Sequence, residues 1–535
     1  MKEPYTPFWL LEREKSYNRD CRLLQILCMS MNKVLTLYSP EKEIGKTTIG
    51  INLGVSLINE TQKSAIFVDF DAHGEGVPAW SMLRLPSSNV LPVQELTGAS
   101  VRKHLQTHSS RLSVLTVDAV NLQSERSSRD FVKTLLTILV KSFDYVIIDI
   151  STRMDAMTHE IFDETDVFIV MTSSLECEQP IGIIGHHNFR LIVNRRGTTK
   201  EASVQRRPQQ YILPNDSATL DAFRTSGVPF VIQTPYRQLS QIVGRLARDV
   251  GGKQFGIALT GGAALGLTQI GVLDVLERGR ITIDMMTGAS FGALVGAAHA
   301  AGRDVRKITQ LVLEWAQSCH IVSRWSWRRF FTEQFFRDTG LHDLCYALLA
   351  DVYFDELSIP LNVVAIDART GASVVFKEGK VLDAIKASMR IPGLFVPFKQ
   401  TESYLIDGSV IYPMPVSPLK QMGADITTAV IVTPTPAESQ GYFRQRIKGR
   451  MTGEQRAMQQ NYALVAATFD GLMNRLMESA EHHADDFERV APDILILPEV
   501  RDISWRDFQR APELIERGTQ AAEMVISHIE KLKWG

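Results

Sequence analysis

Met285-Met286-Thr287-Gly288-Ala289-Ser290-Phe291-Gly292 decides how the second half of the chain folds. An apolar strand-forming segment, Ile283–Thr287, runs into a G-x-S-x-G turn, and the small-residue helix Ala293–Ala301 follows. Small flanking residues let the backbone turn sharply enough to lift a serine hydroxyl above a sheet. Upstream, the strand Phe255–Leu259 leads into Thr260-Gly261-Gly262-Ala263-Ala264-Leu265-Gly266 and then an amphipathic helix carrying Ile270, Leu273 and Leu276. A glycine-rich run that opens a helix offers backbone N–H groups to an anion. A second phosphate loop or a plain tight turn would look the same. The serine turn that follows favours an oxyanion hole built on Gly261, Gly262 and Ala263. A serine hydroxyl is a poor nucleophile at neutral pH and needs a base. Asp407-Gly408, at the end of the short strand Tyr404–Ile406, supplies a carboxylate.

On either side of this stretch, short apolar runs alternate with helical segments. In the first half the strands are Val34–Tyr38, Ala65–Phe70, Leu112–Val117, Tyr145–Ile150, Val167–Met171 and Leu191–Asn194. In the second they include Phe255–Leu259, Leu361–Ile366, Ser373–Phe376, Ile426–Val432 and Ile494–Leu497. In the first half, near-continuous apolar strands separated by helices predict a parallel sheet covered on both faces, and the second half shows a second alternating series. The fold class is therefore α/β with two domains. Gly251-Gly252 ends the helix Gln238–Arg248, and a new strand starts at once. We expect an N-terminal extension over 1–30, a first domain over 31–250 and a second over 251–535. Met29 and Met31 stand directly before the first strand, where an alternative start of translation would fall.

The first strand leads into Ser39-Pro40-Glu41-Lys42-Glu43-Ile44-Gly45-Lys46-Thr47-Thr48 and a helix, the arrangement of a P-loop. There, backbone N–H groups and Lys46 would meet phosphate and a Thr hydroxyl would reach Mg²⁺. Pro40 stands where G-x-x-x-x-G-K-[ST] has its first glycine, so the strict motif fails. Acidic residues close two of these strands: Asp69 and Asp71 at the end of the second, and Asp149 at the end of the fourth. Such carboxylates at strand C-termini suit Mg²⁺ and an attacking water.

With these residues in place, about 33–250 resembles the ParA/MinD family of P-loop ATPases. The resemblance implies that Gly45, Lys46, Thr47 and Thr48 hold phosphate and that Asp69, Asp71 and Asp149 organise water and metal. It also implies an adenine contact from Asn194, ATP and Mg²⁺ as cofactors, and pairing into a homodimer. Glu41 stands where that family has its signature lysine and Glu43 where it has glycine. Both put negative charge by the phosphates, and we expect a degenerate ATPase that serves dimerisation or nucleotide-dependent control.

Residues 255–535 resemble patatin-like phospholipases. The segments that carry the resemblance are the Gly261 loop, the Gly288–Gly292 elbow and Val363-Val364-Ala365-Ile366-Asp367. Ala387-Ser388-Met389-Arg390-Ile391-Pro392-Gly393 and Asp407-Gly408 complete the set. The resemblance implies a Ser290–Asp407 dyad without histidine, needing no cofactor or metal, that hydrolyses the acyl ester of a phospholipid. Two departures are Ala263, in place of the family's third glycine, and Leu265, in place of its usual Arg or Lys. The order Ser290, Asp407, His482 also mimics an α/β-hydrolase triad, although Ala480–Arg489 reads as a charged exposed helix. Two other readings belong to different classes: an ATPase of spatial organisation that uses the second domain only to read lipid, and a scaffold with no activity. The intact serine and aspartate favour the hydrolase.

Composition narrows the rest. Lys plus Arg number 58 against 60 Asp plus Glu, a net charge of -2, which leaves no global basic field for nucleic acid. The five cysteines are scattered and form no C-x-x-C pair, as in reduced cytosolic proteins. No run of about 18 apolar residues predicts a membrane-spanning helix. We expect a cytoplasmic protein that meets the inner face of the membrane peripherally. Trp325, Trp327, Phe330 and Phe331, interleaved with Arg324, Arg328 and Arg329, suit such contact, though a core helix with a solvated edge has the same composition. His186-His187 lacks spaced partners and predicts no metal site.

Overall fold

The computed structural model describes residues 32–70, 77–86, 89–92, 96–117, 125–150, 156–174, 188–194, 210–318, 340–392, 395–410, 414–432, 490–505 and 507–534. These fall into two compact units, one ending at Lys253 and the other starting at Gln254.

In the first unit the described strands are β1 (Lys33–Tyr38), β2 (Ala65–Asp69), β3 (Val90–Leu91), β4 (Gln106–Thr107), β5 (Ser113–Val117), β6 (Tyr145–Asp149), β7 (Val167–Thr172), β8 (Phe189–Asn194) and β9 (Gln210–Leu213). They form one sheet in the order β3-β5-β2-β6-β1-β7-β8-β9. Every pairing along that path is parallel; β4 alone runs antiparallel, on β5. Alternate side chains of β1 enter opposite cores, which is why the run is apolar throughout. Leu35 and Leu37 pack with the helices Lys46–Thr61 and Gln238–Gly251. Val34 and Tyr38 pack with Phe131, Val132 and Leu135 of the helix Glu125–Val140. The sheet is therefore covered on both faces, as expected.

The second unit holds β10 (Phe255–Leu259), β11 (Met285–Ala289), β12 (Leu361–Asp367), β13 (Ser373–Phe376), β14 (Phe398–Gln400), β15 (Ser403–Asp407), β16 (Ile426–Val430) and β17 (Ile494–Ile496). The order is β14-β15-β12-β11-β10-β16-β17, with β13 beside β12. The centre and one side are parallel, but β13 and β15 both run antiparallel to β12, and β14 runs antiparallel to β15. This sheet is mixed, within the α/β class expected for this domain. The antiparallel pairs β12–β13 and β14–β15 are joined by short connections, which need no crossover helix, whereas the chain between β12 and β15 includes the helix Val381–Ser388.

The register of β12 is the decisive feature. Ala289 pairs with Val364 on one side of β12, and Asp407 pairs with Ala365 on the other. The residue after Ala289 is Ser290, so the serine and Asp407 flank Ala365 from opposite neighbours. Strands β3, β4, β9 and β14, which the sequence reading did not foresee, have two to four residues each. Segments that short carry almost no periodicity.

Candidate active site

The turn that carries Ser290 is strained. Ser290 opens the helix Ser290–Ala300 with φ of 53°, a left-handed conformation that costs a non-glycine residue about 1 kcal/mol or more. Its own amide is held by Ser388: the Ser290 N–H donates to Ser388 Oγ at 2.8 Å, and that hydroxyl donates to the Val364 carbonyl at 2.6 Å. The elbow is thus tied to β12 through the serine of the Ala387–Gly393 segment. Gly288 and Gly292 allow the close approach: a Cβ at Gly288 would lie 2.6 Å from Ala293 Cα, and one at Gly292 2.3 Å from the Thr260 carbonyl.

Ser290 and Asp407, which lie 117 positions apart, meet. Ser290 Oγ donates to Asp407 Oδ2 at 2.5 Å, and both residues are buried. The other carboxylate oxygen, Oδ1, accepts from the Ser409 amide at 2.9 Å and the Ser409 hydroxyl at 2.6 Å. Burial pushes the Asp407 carboxyl up from 3.8 to about 6, against the opposing pull of the hydrogen bonds from Ser290 and Ser409. At neutral pH the group is therefore mainly ionised, with a basicity far above that of a solvated aspartate. Gly408 brings this strand end against β12; a Cβ there would lie 2.1 Å from the Val364 carbonyl.

The glycine-rich loop lies beside the serine. A Cβ on Gly261 would sit 2.9 Å from Ser290 Cβ and 2.4 Å from Ser409 Oγ, so this position must lack one. Gly262 has φ of 153° and Ala263 φ of 49°, and the short helix Ala263–Leu267 begins there. The Ala264 amide donates to the Trp505 carbonyl at 2.9 Å, which anchors the loop to the C-terminal segment. Ala263 thus keeps the turn despite its methyl group, at the strain of a left-handed alanine. Leu265 is buried in the main core of this unit, where a cation would be costly. Trp315 is a core residue as well, stacked 6.2 Å from Phe291 and edge-on to Phe508 at 5.0 Å. The Trp325–Phe331 segment, His482 and His186-His187 lie outside the described residues.

In the first unit the P-loop residues also converge. Thr47 Oγ1 donates to Asp149 Oδ2 at 2.5 Å, and Lys46 Nζ lies 3.9 Å from Asp149 Oδ1. Asp69 stands level with Asp149 across β2 and β6, but its carboxylate accepts the Ala79 amide at 2.9 Å. Asp71 lies outside the described residues. Asn194 donates to the Ile44 carbonyl at 2.8 Å and borders a cleft of ≈ 380 Å³ lined also by Glu43, Gly45, Thr48, Leu213 and Pro214. The two acidic substitutions part company here. Glu41 turns its carboxylate to the end of β7, accepting from Thr172 Oγ1 at 2.9 Å and the Ser173 amide at 2.8 Å. Glu43, at φ of 53°, remains on the cleft wall. The donor set Lys46, Thr47 and Asp149 suits a Mg²⁺-bound phosphate; Glu43 adds a negative charge beside it.

The sequence reading quoted Ser388 without a role and passed over Ser409. The signal for each was weak: a hydroxyl within a recurring segment, and a hydroxyl two residues after the aspartate.

A buried serine on a strained strand-to-helix turn, with a carboxylate at its hydroxyl and a glycine loop beside it, is an arrangement chemically suited to activating the hydroxyl as a nucleophile. Residues 257–420, which lie in the second unit, match the family model of patatin-like phospholipase. An uncharacterized NTE family protein of Mycobacterium tuberculosis is 33% identical over 176 residues, which are 32% of this chain and 48% of the relative. Patatin-like phospholipase domain-containing protein 6 of Homo sapiens is 28% identical over 191 residues, 35% of this chain and 14% of that protein. The chain spans about half the length, 48%, of the mycobacterial relatives it matches first. Among solved structures, the ParA family ATPase of Chlorobium tepidum is similar at 21% identity and a TM-score of 0.33, over 41% of this chain and 98% of its own. The septum site-determining protein MinD of Pyrococcus horikoshii, solved with Mg-ADP, is similar at 17% identity and a TM-score of 0.34.

Proposed function

We propose that this protein is a lipid acyl hydrolase of the phospholipase A or lysophospholipase type, with Ser290 as nucleophile and Asp407 as base. The observation that carries this reading is the 2.5 Å hydrogen bond from Ser290 Oγ to a buried carboxylate at a strained elbow. Asp407 Oδ2 takes the hydroxyl proton as Oγ attacks the ester carbonyl carbon. The oxyanion of the tetrahedral intermediate is held by amides of the Gly261–Ala263 loop, each donor being worth about 3–4 kcal/mol of barrier. Collapse breaks the ester C–O bond, and the leaving alcohol takes the proton from Asp407. Water, deprotonated by the same carboxylate, then releases the fatty acid and restores Ser290.

The experiment is hydrolysis of p-nitrophenyl acyl esters and of phospholipid vesicles by the purified full chain. Lipid analysis of cells making wild type or Ser290→Ala then identifies the substrate. Failure to cleave either class, at any pH from 5 to 9, counts against the assignment.

The proposed division of labour gives chemistry to residues 251–535 and control or dimerisation to residues 31–250. Asn194 and Pro214 would border the base of a nucleotide and Lys46 its phosphates, with Mg²⁺ at Thr47 and Asp149 supplying charge neutralisation. With Glu43 on the cleft wall, little ATP turnover and weak nucleotide binding are expected. A saturating ligand at a hundredfold excess over Kd would stabilise the unit by about 2.7 kcal/mol. Mg-ATP should therefore move the melting temperature little, and Lys46→Ala should behave like wild type. Turnover of several ATP per minute that Lys46→Ala abolishes refutes the degenerate site.

Pairing through the first unit would place two hydrolase units on one assembly and raise their hold on a lipid surface through effective concentration. Light scattering on the full chain should then report at least a dimer. A monomer at all concentrations removes this role. The contact with lipid proposed here is peripheral; among the described residues no helix is long and apolar enough to cross a membrane.

A further inference from the structure

We propose that Ser409 is a positioning residue for the dyad: its hydroxyl and amide clamp one oxygen of Asp407 so that the other alone faces Ser290. This rests on the reading of Ser290 and Asp407 as nucleophile and base. A carboxylate turns readily about its last torsion, a broad two-fold well. Two donors on Oδ1, at 2.6 and 2.9 Å, remove that freedom and leave Oδ2 on the serine hydroxyl. The Ser409 side chain also abuts the anion loop, since a Cβ on Gly261 would fall 2.4 Å from its hydroxyl and 2.5 Å from its Cβ. One side chain therefore touches both the base and the oxyanion loop.

The hydroxyl does more than aim. Hydrogen bonds to the charged form favour that form, so Ser409 works against the burial that raises Asp407. The charged groups on the elements packed against β15 are engaged elsewhere. Asp367 of β12 accepts the amides of Arg369 and Thr370. Asp383 and Lys386 of the helix Val381–Ser388 pair with one another at 3.8 Å. Arg390, whose carbonyl accepts the Asp407 amide, lays its guanidinium over Phe398, and Lys399 of β14 is exposed. His299, on the helix Ser290–Ala300, sits nine positions beyond the serine with its own basicity lowered by burial. Among the described residues, burial and the hydroxyls of Ser290 and Ser409, with the Ser409 amide, govern this carboxyl.

The test uses the full chain as wild type, Ser409→Ala and Ser409→Gly, with a soluble p-nitrophenyl ester across pH 5 to 9. Both variants keep the amide and lose the hydroxyl. We expect kcat to fall roughly tenfold with KM nearly unchanged. The acidic limb of the kcat/KM profile should move up by roughly half to one pH unit. A limb that stays in place overturns the proposal even if kcat falls, because a merely structural role would lower activity without retitrating the base.

A second readout does not depend on hydrolysis. The stability difference between each protein and its Asp407→Asn derivative is followed against pH, and its midpoint reports the titration of Asp407. The midpoint should rise in Ser409→Ala; an unchanged midpoint overturns the proposal. Retained activity in Ser290→Ala would instead sink the dyad itself, whatever Ser409 does.

Discussion

Ser290→Ala is expected to lower ester hydrolysis by about 10³–10⁶-fold while leaving the melting temperature near that of wild type. The hydroxyl is the only group lost, and alanine suffers the same left-handed strain at φ of 53° that serine already bears. The residual rate should be the contribution of the oxyanion loop and substrate binding. His482→Ala serves as the contrasting variant and should keep most of the activity, because Asp407 bonds Ser290 directly with no imidazole between them. If His482→Ala were as inactive as Ser290→Ala, with Asp407→Asn still active, the base would have to be reassigned.

Asp407→Asn should trade activity for stability, and the trade should depend on pH. Loss of the base removes about 10⁴-fold in kcat, the scale seen when a catalytic carboxylate becomes an amide. The stability effect follows from the raised carboxyl, which goes from 3.8 in the unfolded chain to about 6 in the folded one. The folded state then binds the proton more tightly, so folding is favoured by protonation. That contribution is complete below the unfolded value of 3.8 and is lost as pH rises through about 6. Holding the carboxylate ionised in this site at pH 8 costs on the order of 3 kcal/mol. An asparagine carries no charge to bury. The variant should therefore unfold later than wild type at pH 8, with the difference shrinking below pH 6 and gone near pH 4. Urea unfolding at these pH values checks it. A variant that is less stable at pH 8 would show that the ionised group is compensated by contacts an amide cannot make.

The same protonation sets the expected shape of the activity profile. Only the ionised carboxyl can take the Ser290 proton, so kcat/KM should rise through about pH 6 and level off above it. In the proposed mechanism the raised value is what lets a carboxylate act without a histidine. A carboxylate of ordinary basicity would accept a serine proton far less readily, and burial supplies the difference.

How much of this was legible beforehand depends on the range of the interaction. The elbow was readable because its requirements are local: a strand, two small residues and a helix within one short stretch. The alternation of apolar runs exposed the α/β class for the same reason, since each period is set by neighbouring residues. Asp407 was readable only as a candidate carboxylate at a strand end, and its pairing with Ser290 rested on a family resemblance, because no spacing rule joins residues 117 positions apart. The two acidic residues of the P-loop show the limit from the other side. Charge alone made Glu41 and Glu43 equivalent, yet Glu41 is drawn off by Thr172 and Ser173 while Glu43 stays at the cleft.

By itself, then, the amino-acid order determined two parallel-rich α/β units, the serine elbow, and the loop of small residues beside it. These are consequences of short-range sterics. The tertiary structure alone decided that β12 lies between β11 and β15, and that Ala365 is flanked by serine and aspartate. It alone placed Ser388 under the strained amide and Ser409 on the far oxygen of Asp407. Those roles depend on which strand ends are brought side by side, a matter of sheet order and register that residue spacing cannot encode.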